Sequence, residues 1–186
     1  MSMTGNARQL MMLGQKGKTM IELKNIKHSD FASQETHCYE ATLYVDGVRW
    51  GVVGNDGHGG PDHFHGVEGR NYGDLPALDE RIAAAYPRIT FGDDEEGISA
   101  SLETVCGDLV NQFLLNRALT RMYGATKTKV LYFKEPPVDG SLLYQVAMKG
   151  HTLEAWLKHI AGKYPDAVVI NTLPKEEAMA MLALAA

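Results

Sequence analysis

The segment Gly54-Asn55-Asp56-Gly57-His58-Gly59-Gly60-Pro61-Asp62-His63-Phe64-His65-Gly66 places five glycines and a proline within thirteen residues, so no helix can run through it. It must turn sharply or approach something closely. It also gathers three of the seven histidines and two aspartates, which makes it the first place to look for function. On its N-terminal side, Tyr39-Glu40-Ala41-Thr42-Leu43-Tyr44-Val45 has the β-branched and aromatic content of a strand. Asp46-Gly47 supplies the positive backbone angles of a tight hairpin turn, and Val48-Arg49-Trp50-Gly51-Val52-Val53 returns as the next strand. With Ile21, Leu23 and Ile26 marking an earlier strand, the opening third reads as an antiparallel meander that empties into the His/Gly loop.

Downstream, Asp74 is placed to cap a helix from about Leu75 to Tyr86, with Pro76 in its first turn, Leu78, Ile82 and Ala85 on one face, and Pro87 ending it. After the acidic turn Asp93-Asp94-Glu95-Glu96-Gly97, the residues Leu102, Val105, Cys106, Leu109, Val110, Phe113 and Leu114 recur at alternating spacings of three and one. This wide apolar stripe predicts a long amphipathic helix over 101–123 that covers the sheet, stopped by Gly124 in a left-handed cap. Lys129–Lys134 and Leu142–Met148 predict a second hairpin through Pro136-Pro137-Val138-Asp139-Gly140. Thr152 caps a helix with Leu153, Trp156, Leu157 and Ile160 inward, 167–170 forms a short strand, and Pro174 opens a final helix.

Strands and helices in this order, without regular βαβ alternation, predict an α+β fold: an antiparallel sheet of meander plus later hairpin, covered by the long helix. The expected organisation is a leader at 1–19, a core domain at 20–150, and a helix-strand-helix extension at 151–186 docked on the core or on a second subunit, which would make a homo-oligomer. The leader is polar and weakly periodic, and reads as a flexible arm or as an extension upstream of an alternative start at Met20. A formal net charge of −5 and a pI near 5.8 give no broad basic field, which argues against direct nucleic-acid binding while leaving room for a local basic patch. No apolar run is long enough for a membrane span, and Cys38 and Cys106, outside any CxxC spacing, read as reduced thiols. A cytoplasmic protein is the expectation.

The runs Ile21-Glu22-Leu23-Lys24-Asn25-Ile26-Lys27, Ser33-Gln34-Glu35-Thr36, Tyr44-Val45-Asp46-Gly47 and Asn55-Asp56-Gly57-His58-Gly59-Gly60 resemble small uncharacterised proteins of bacteriophages and bacterial mobile elements. Thr128 to Val130 and Tyr144-Gln145 are similar to the later hairpin of the same proteins. The likeness implies no particular activity. It implies an accessory protein, in the host cytoplasm if phage-encoded, that binds and modulates a host or defence protein or nucleoprotein.

Two readings of the loop follow. In the first it is a recognition surface, with Asn55, Asp56, His58 and Phe64 as binding residues on a non-enzymatic scaffold. In the second, His58, Asp62, His63 and His65 ligate Zn²⁺ or Mn²⁺ in a metal-dependent hydrolase or nuclease, since imidazole and carboxylate suit either ion. Their spacing reproduces no familiar helical zinc motif, although His63 and His65 would share a face if 62–66 is extended. Successive glycine N–H groups could instead cradle an anion, but the segment lacks GxGxxG in strand-to-helix context and any Gly-Lys-Ser/Thr ending. Cysteine catalysis finds little support, because Cys106 lies on the apolar stripe and the adjacent His37 and Cys38 point to opposite faces of an extended chain. The 93–96 carboxylates read as a solvated charge cluster, and Arg117 and Arg121, one turn apart, as a small basic edge or partners of surface acids.

Overall fold

A computed structural model describes residues 19–90 and 96–186. The expected leader, apart from Thr19, and Asp93, Asp94 and Glu95 of the acidic turn lie outside the described residues. The fold is α+β, and the chain packs as two units, Met1–Asn111 and Gln112–Ala186.

In the first unit, β1 (Ile21–Ser29), β2 (Cys38–Val45), β3 (Val48–Asn55) and β4 (His63–Gly66) form an antiparallel sheet in that order. Period-two alternation decides its faces: Tyr39, Ala41, Leu43 and Val45 are buried, while Glu40, Thr42 and Tyr44 point the other way. The predicted hairpin turn forms, with Asp46 and Gly47 both at positive φ (51° and 79°). A bulge between Lys24 and Lys27 interrupts β1, with Asn25 at φ 55°, a conformation asparagine tolerates.

The strand β4 is a correction, since 63–66 lies within the segment read as irregular. Only 56–62 is loop, and 63–66 pairs with 51–54 of β3. Asp74 is a second correction. Its carboxylate accepts from the Asn71 N–H (2.8 Å) in a reciprocal capping box over the 3₁₀ turn Tyr72–Asp74, and makes no cap bond to the following helix α1 (Leu75–Ala85). Leu78 and Ile82 of α1 are buried.

The long helix α2 (Leu102–Gly124) begins where Asp79 accepts from the Leu102 N–H at 2.6 Å. Leu102, Val105, Cys106 and Val110 are buried as the stripe predicts, whereas Phe113 is only half-buried. Gly124 keeps a right-handed φ of −56°, and the expected left-handed stop is absent. The chain tightens into a 3₁₀ turn at Ala125–Lys127 instead, and the Thr126 hydroxyl donates to the Tyr123 carbonyl (2.7 Å), satisfying a group the cap would have served.

In the second unit β5 (Lys129–Phe133) is flanked by β6 (Tyr144–Ala147) and β7 (Val168–Val169), giving the order β6-β5-β7. Meander and later hairpin therefore lie in two hydrogen-bonded sheets, because both edges of β5 are taken within its own unit. Leu131 and Phe133 pack with Leu119, Ile170, Ala178 and Leu182; Val130 packs with Ile160 of α3 (Leu153–Lys163) and with Val169. Thr152 caps α3 by accepting from the Ala155 N–H (3.2 Å), and α4 (Lys175–Ala183) follows Pro174, both as predicted. The stretch after Gly150 thus supplies a strand and core residues to the hairpin's own unit. Asn171 secures it, accepting from the Leu131 N–H (2.9 Å) and donating to the Thr126 and Lys129 carbonyls. Among the described residues, no helix is long and apolar enough to cross a membrane.

Candidate functional site

Asn55, the last residue of β3, is 5% exposed, and a buried amide must find partners. Its carbonyl oxygen accepts from the Thr36 hydroxyl (2.6 Å) and the Gly57 N–H (2.9 Å). Its amide nitrogen donates to the Gly60 carbonyl (2.8 Å) and to Asp62 Oδ1 (3.0 Å). That uses the full four-bond capacity of the side chain and organises the whole 56–62 loop around it. The other Asp62 oxygen accepts from the buried Tyr39 hydroxyl, which also faces the Cys106 thiol. Burial first, then the neighbouring Cys106 and Asp62, holds the Tyr39 phenol far above its ordinary range, and burial pushes the Cys106 thiol up likewise. Cys106 is therefore an inert, protonated core thiol.

A second loop, 30–37, joins β1 to β2 and is fastened to the first chiefly through one carbonyl, with the Gly59 N–H also donating to the Thr36 hydroxyl (3.3 Å). Gly57 O accepts from the N–H groups of Gln34 (2.9 Å), Glu35 (3.0 Å) and Thr36 (3.4 Å). Gly57 sits at φ +86°, and a Cβ there would lie 2.2 Å from Ala32 O, so this close approach requires glycine. Ser33 closes loop 30–37 from within, donating to Ser29 O (2.7 Å) and accepting from the Cys38 N–H (2.9 Å). His37 reaches Asn111 Oδ1 on α2 at 2.7 Å, and its other ring nitrogen lies 3.4 Å from His28 Nε2. At the loop's apex Phe31 is 98% exposed. Asp30, Gln34, Glu35, Asp56 and His58 are exposed around the two loops.

Of the four predicted binding residues, the structure leaves two at the surface. Asp56 and His58 are exposed, with His58 Nδ1 3.3 Å from Gln34 Oε1. Asn55 and Phe64 are buried and support the surface from below; Phe64 packs edge-to-face on Tyr72, whose hydroxyl accepts from the Phe64 N–H at 2.8 Å. Nor are His58, Asp62, His63 and His65 brought together. Asp62 turns inward to Tyr39 and Asn55, while His63 and His65 lie on the face of β4 opposite Phe64, their rings 5.6 Å apart. Among the described residues no three His, Cys, Asp or Glu side chains form a metal-ligand group.

Asp30, His28 and Ser33 align as atoms of a hydrolytic triad would, with carboxylate to Nδ1 and Nε2 to Oγ both 3.3 Å. The chemistry does not follow. The Ser33 hydroxyl donates to a backbone carbonyl, and Asp30, with its side chain 86% exposed, lacks the burial that makes a carboxylate an orienting group. Sequence reasoning missed Phe31, Thr36, Tyr39 and His28. For Phe31 a signal existed, a lone large apolar residue amid Ser, Asp and Ala between two strands; Thr36 and Tyr39 meet partners distant in sequence, Asn55 and Asp62, while His28 meets Asp30, Ser33 and His37 close by in a loop whose course the sequence does not give. No protein-family model matches the chain, and neither a curated protein nor a solved structure does.

Proposed function

We propose that this is a non-enzymatic accessory protein, of phage or mobile-element type, that recognises a host or defence protein or nucleoprotein through the paired loops 30–37 and 56–62. One observation carries the reading: a fully exposed phenylalanine stands on a loop whose backbone is pinned at three N–H groups by Gly57. An exposed aromatic on a pre-ordered loop costs little ordering entropy on binding and makes an efficient anchor. The surrounding acids, Asp30, Glu35 and Asp56, favour a partner whose apolar pocket is rimmed by lysine or arginine.

The test is a photo-crosslinking residue at position 31 together with Phe31→Ala. The partner trapped by the crosslinker should bind the alanine variant more weakly by about 2 kcal/mol or more, roughly 30-fold, with the melting curve unchanged. Equal affinity for both proteins would reject the anchor. The rival metal-dependent hydrolase or nuclease requires Asp62 to leave Tyr39 and Asn55 before it could join His58, His63 and His65. Calorimetric binding of Zn²⁺ or Mn²⁺ that is lost in the His58/His63/His65 triple alanine variant would restore it.

A further inference from the structure

The chain's net charge of −5 is an average of two unlike parts. Residues 1–111 hold nine lysines and arginines against seventeen aspartates and glutamates, whereas 112–186 hold nine against six. The second unit is therefore net basic. On it, half-buried tyrosines and lysines converge. Tyr132 and Tyr144 are direct cross-strand partners, with rings stacked at 5.6 Å and 27°. Tyr164, at the C-terminal cap of α3, lies 6.1 Å from Tyr132. Lys134 Nζ stands 4.1 Å from the Tyr144 ring centre and 5.1 Å from that of Tyr164, and Lys163 Nζ stands 5.4 Å from Tyr164. Neither lysine is in an ion pair among the described residues. The Tyr144 hydroxyl, the leading cause, holds the Lys134 ammonium above the usual lysine range.

Tyr164 also lines a groove of about 230 Å³ with Leu157, Pro165, Ala167, Val169 and Thr172, its walls part apolar and part polar. That is smaller than the roughly 300 Å³ at which pockets begin to engulf drug-sized ligands, so it suits a single planar ring whose remainder stays outside. One tyrosine thus borders both a narrow groove and two lysines that are in no ion pair among the described residues. We propose that this surface binds single-stranded nucleic acid, a base entering the groove against Tyr164 and the flanking phosphates meeting Lys134 and Lys163. Unpaired bases offer the exposed ring that a duplex withholds, and aromatic platforms with basic flanks are the general means of holding them. The inference is independent of the loop reading in the first unit; if both hold, a nucleoprotein is the target that satisfies them together.

The experiment is fluorescence anisotropy of the full chain with labelled oligo-dT and oligo-U of about 12 nucleotides, a span within known single-strand site sizes, and with a duplex of equal length. Single strands should bind more tightly than duplex at about 50 mM salt, with log affinity falling linearly with log salt. Lys134→Gln with Lys163→Gln should weaken binding at least about tenfold and flatten the salt slope by about 1.4, since each lost phosphate contact is worth about 0.7 on a single strand. Tyr164→Leu should weaken binding roughly 5- to 150-fold with the slope unchanged. Lys175→Gln, on α4, is the charge control and should be near neutral. Circular dichroism melting checks each fold, and should Tyr164→Leu unfold, the lysine pair still decides. Absence of binding by the wild type, equal affinity for duplex, no effect of the lysine pair, or equally effective competition by polyglutamate would each overturn the proposal.

Discussion

Replacing Gly57 with alanine tests whether the two loops form one body. The perturbation has two parts. An L-residue at φ +86° carries a conformational cost of about 1–2 kcal/mol. The new methyl would also lie 2.2 Å from Ala32 O and 2.9 Å from Cys38 Cβ, and backbone cannot swing aside as a side-chain tip does, which adds about 1–3 kcal/mol of overpacking. Gly47→Ala isolates the first part, because Gly47 has a similar φ of +79° and nothing within 4 Å of its built Cβ. Urea unfolding should therefore show a loss of about 1–2 kcal/mol for Gly47→Ala and about 2–5 kcal/mol for Gly57→Ala, with m unchanged. Hydrogen exchange adds a local readout: the N–H groups of Gln34, Glu35 and Thr36 should lose protection only in Gly57→Ala, because Gly57 O is their acceptor. Equal losses for the two variants, or unchanged protection at 34–36, would refute the claim that loop 30–37 is held by loop 56–62.

Three further outcomes are expected. Asn55→Ala removes the side chain that serves Thr36, Gly57, Gly60 and Asp62, and by leaving the buried Gly57 N–H unpaired should cost about 2–4 kcal/mol in denaturant unfolding; exposed Asp56→Ala should stay within about 0.5 kcal/mol. Leu43→Ala, at 0% exposure, should cost about 2–5 kcal/mol, whereas half-buried Phe113→Ala should fall short of the about 3–5 kcal/mol expected of a fully buried phenylalanine. Tyr39 and Cys106 both titrate higher folded than unfolded, so the folded state holds their protons more tightly. The stability they contribute is whole below the unfolded thiol value of about 8.5 and drains as pH rises beyond it and then beyond the phenol's value of about 10. The urea midpoint followed from pH 7 to about 11 should fall, and fall less steeply in Cys106→Ala.

The meander was legible because its central strand obeys one period: Tyr39, Ala41, Leu43 and Val45 alternate without exception, and Asp46-Gly47 names its own turn. The helix stripe was legible for the same reason, up to Phe113, where the apolar period continues after full burial has ended. β4 was not, because a four-residue strand with one buried side chain, Phe64 between two histidines, has too little pattern to outweigh the glycines around it. The short strand expected at 167–170 does form, as β7, but its pairing of Val169 with Tyr132 is something no local signal contains. The metal reading shows a different limit. Residue types identify which chemistry a loop could support, but side-chain direction is not in the sequence, and in the structure Asp62 turns inward to Tyr39, 23 residues away.

Net charge is a sum over the whole chain, whereas a partner meets only the charges near its own contact. At physiological ionic strength the field of an exposed charge is screened within about 8 Å, so a surface feels the charges beside it rather than the sum over the chain. Lys134 and Lys163 both stand within 5.5 Å of one tyrosine ring, and Asp30, Glu35 and Asp56 belong to two loops joined through the Gly57 carbonyl. Each group therefore presents its own sign. Partners are proposed on that basis, a basic-rimmed protein pocket for the loops and a phosphate backbone for the tyrosine-lysine surface, each to be tested by its own experiment. Salt should weaken both associations, but unequally. Counterion release makes the second fall steeply and log-linearly, while burial of Phe31 supplies the first with an apolar contribution that survives screening.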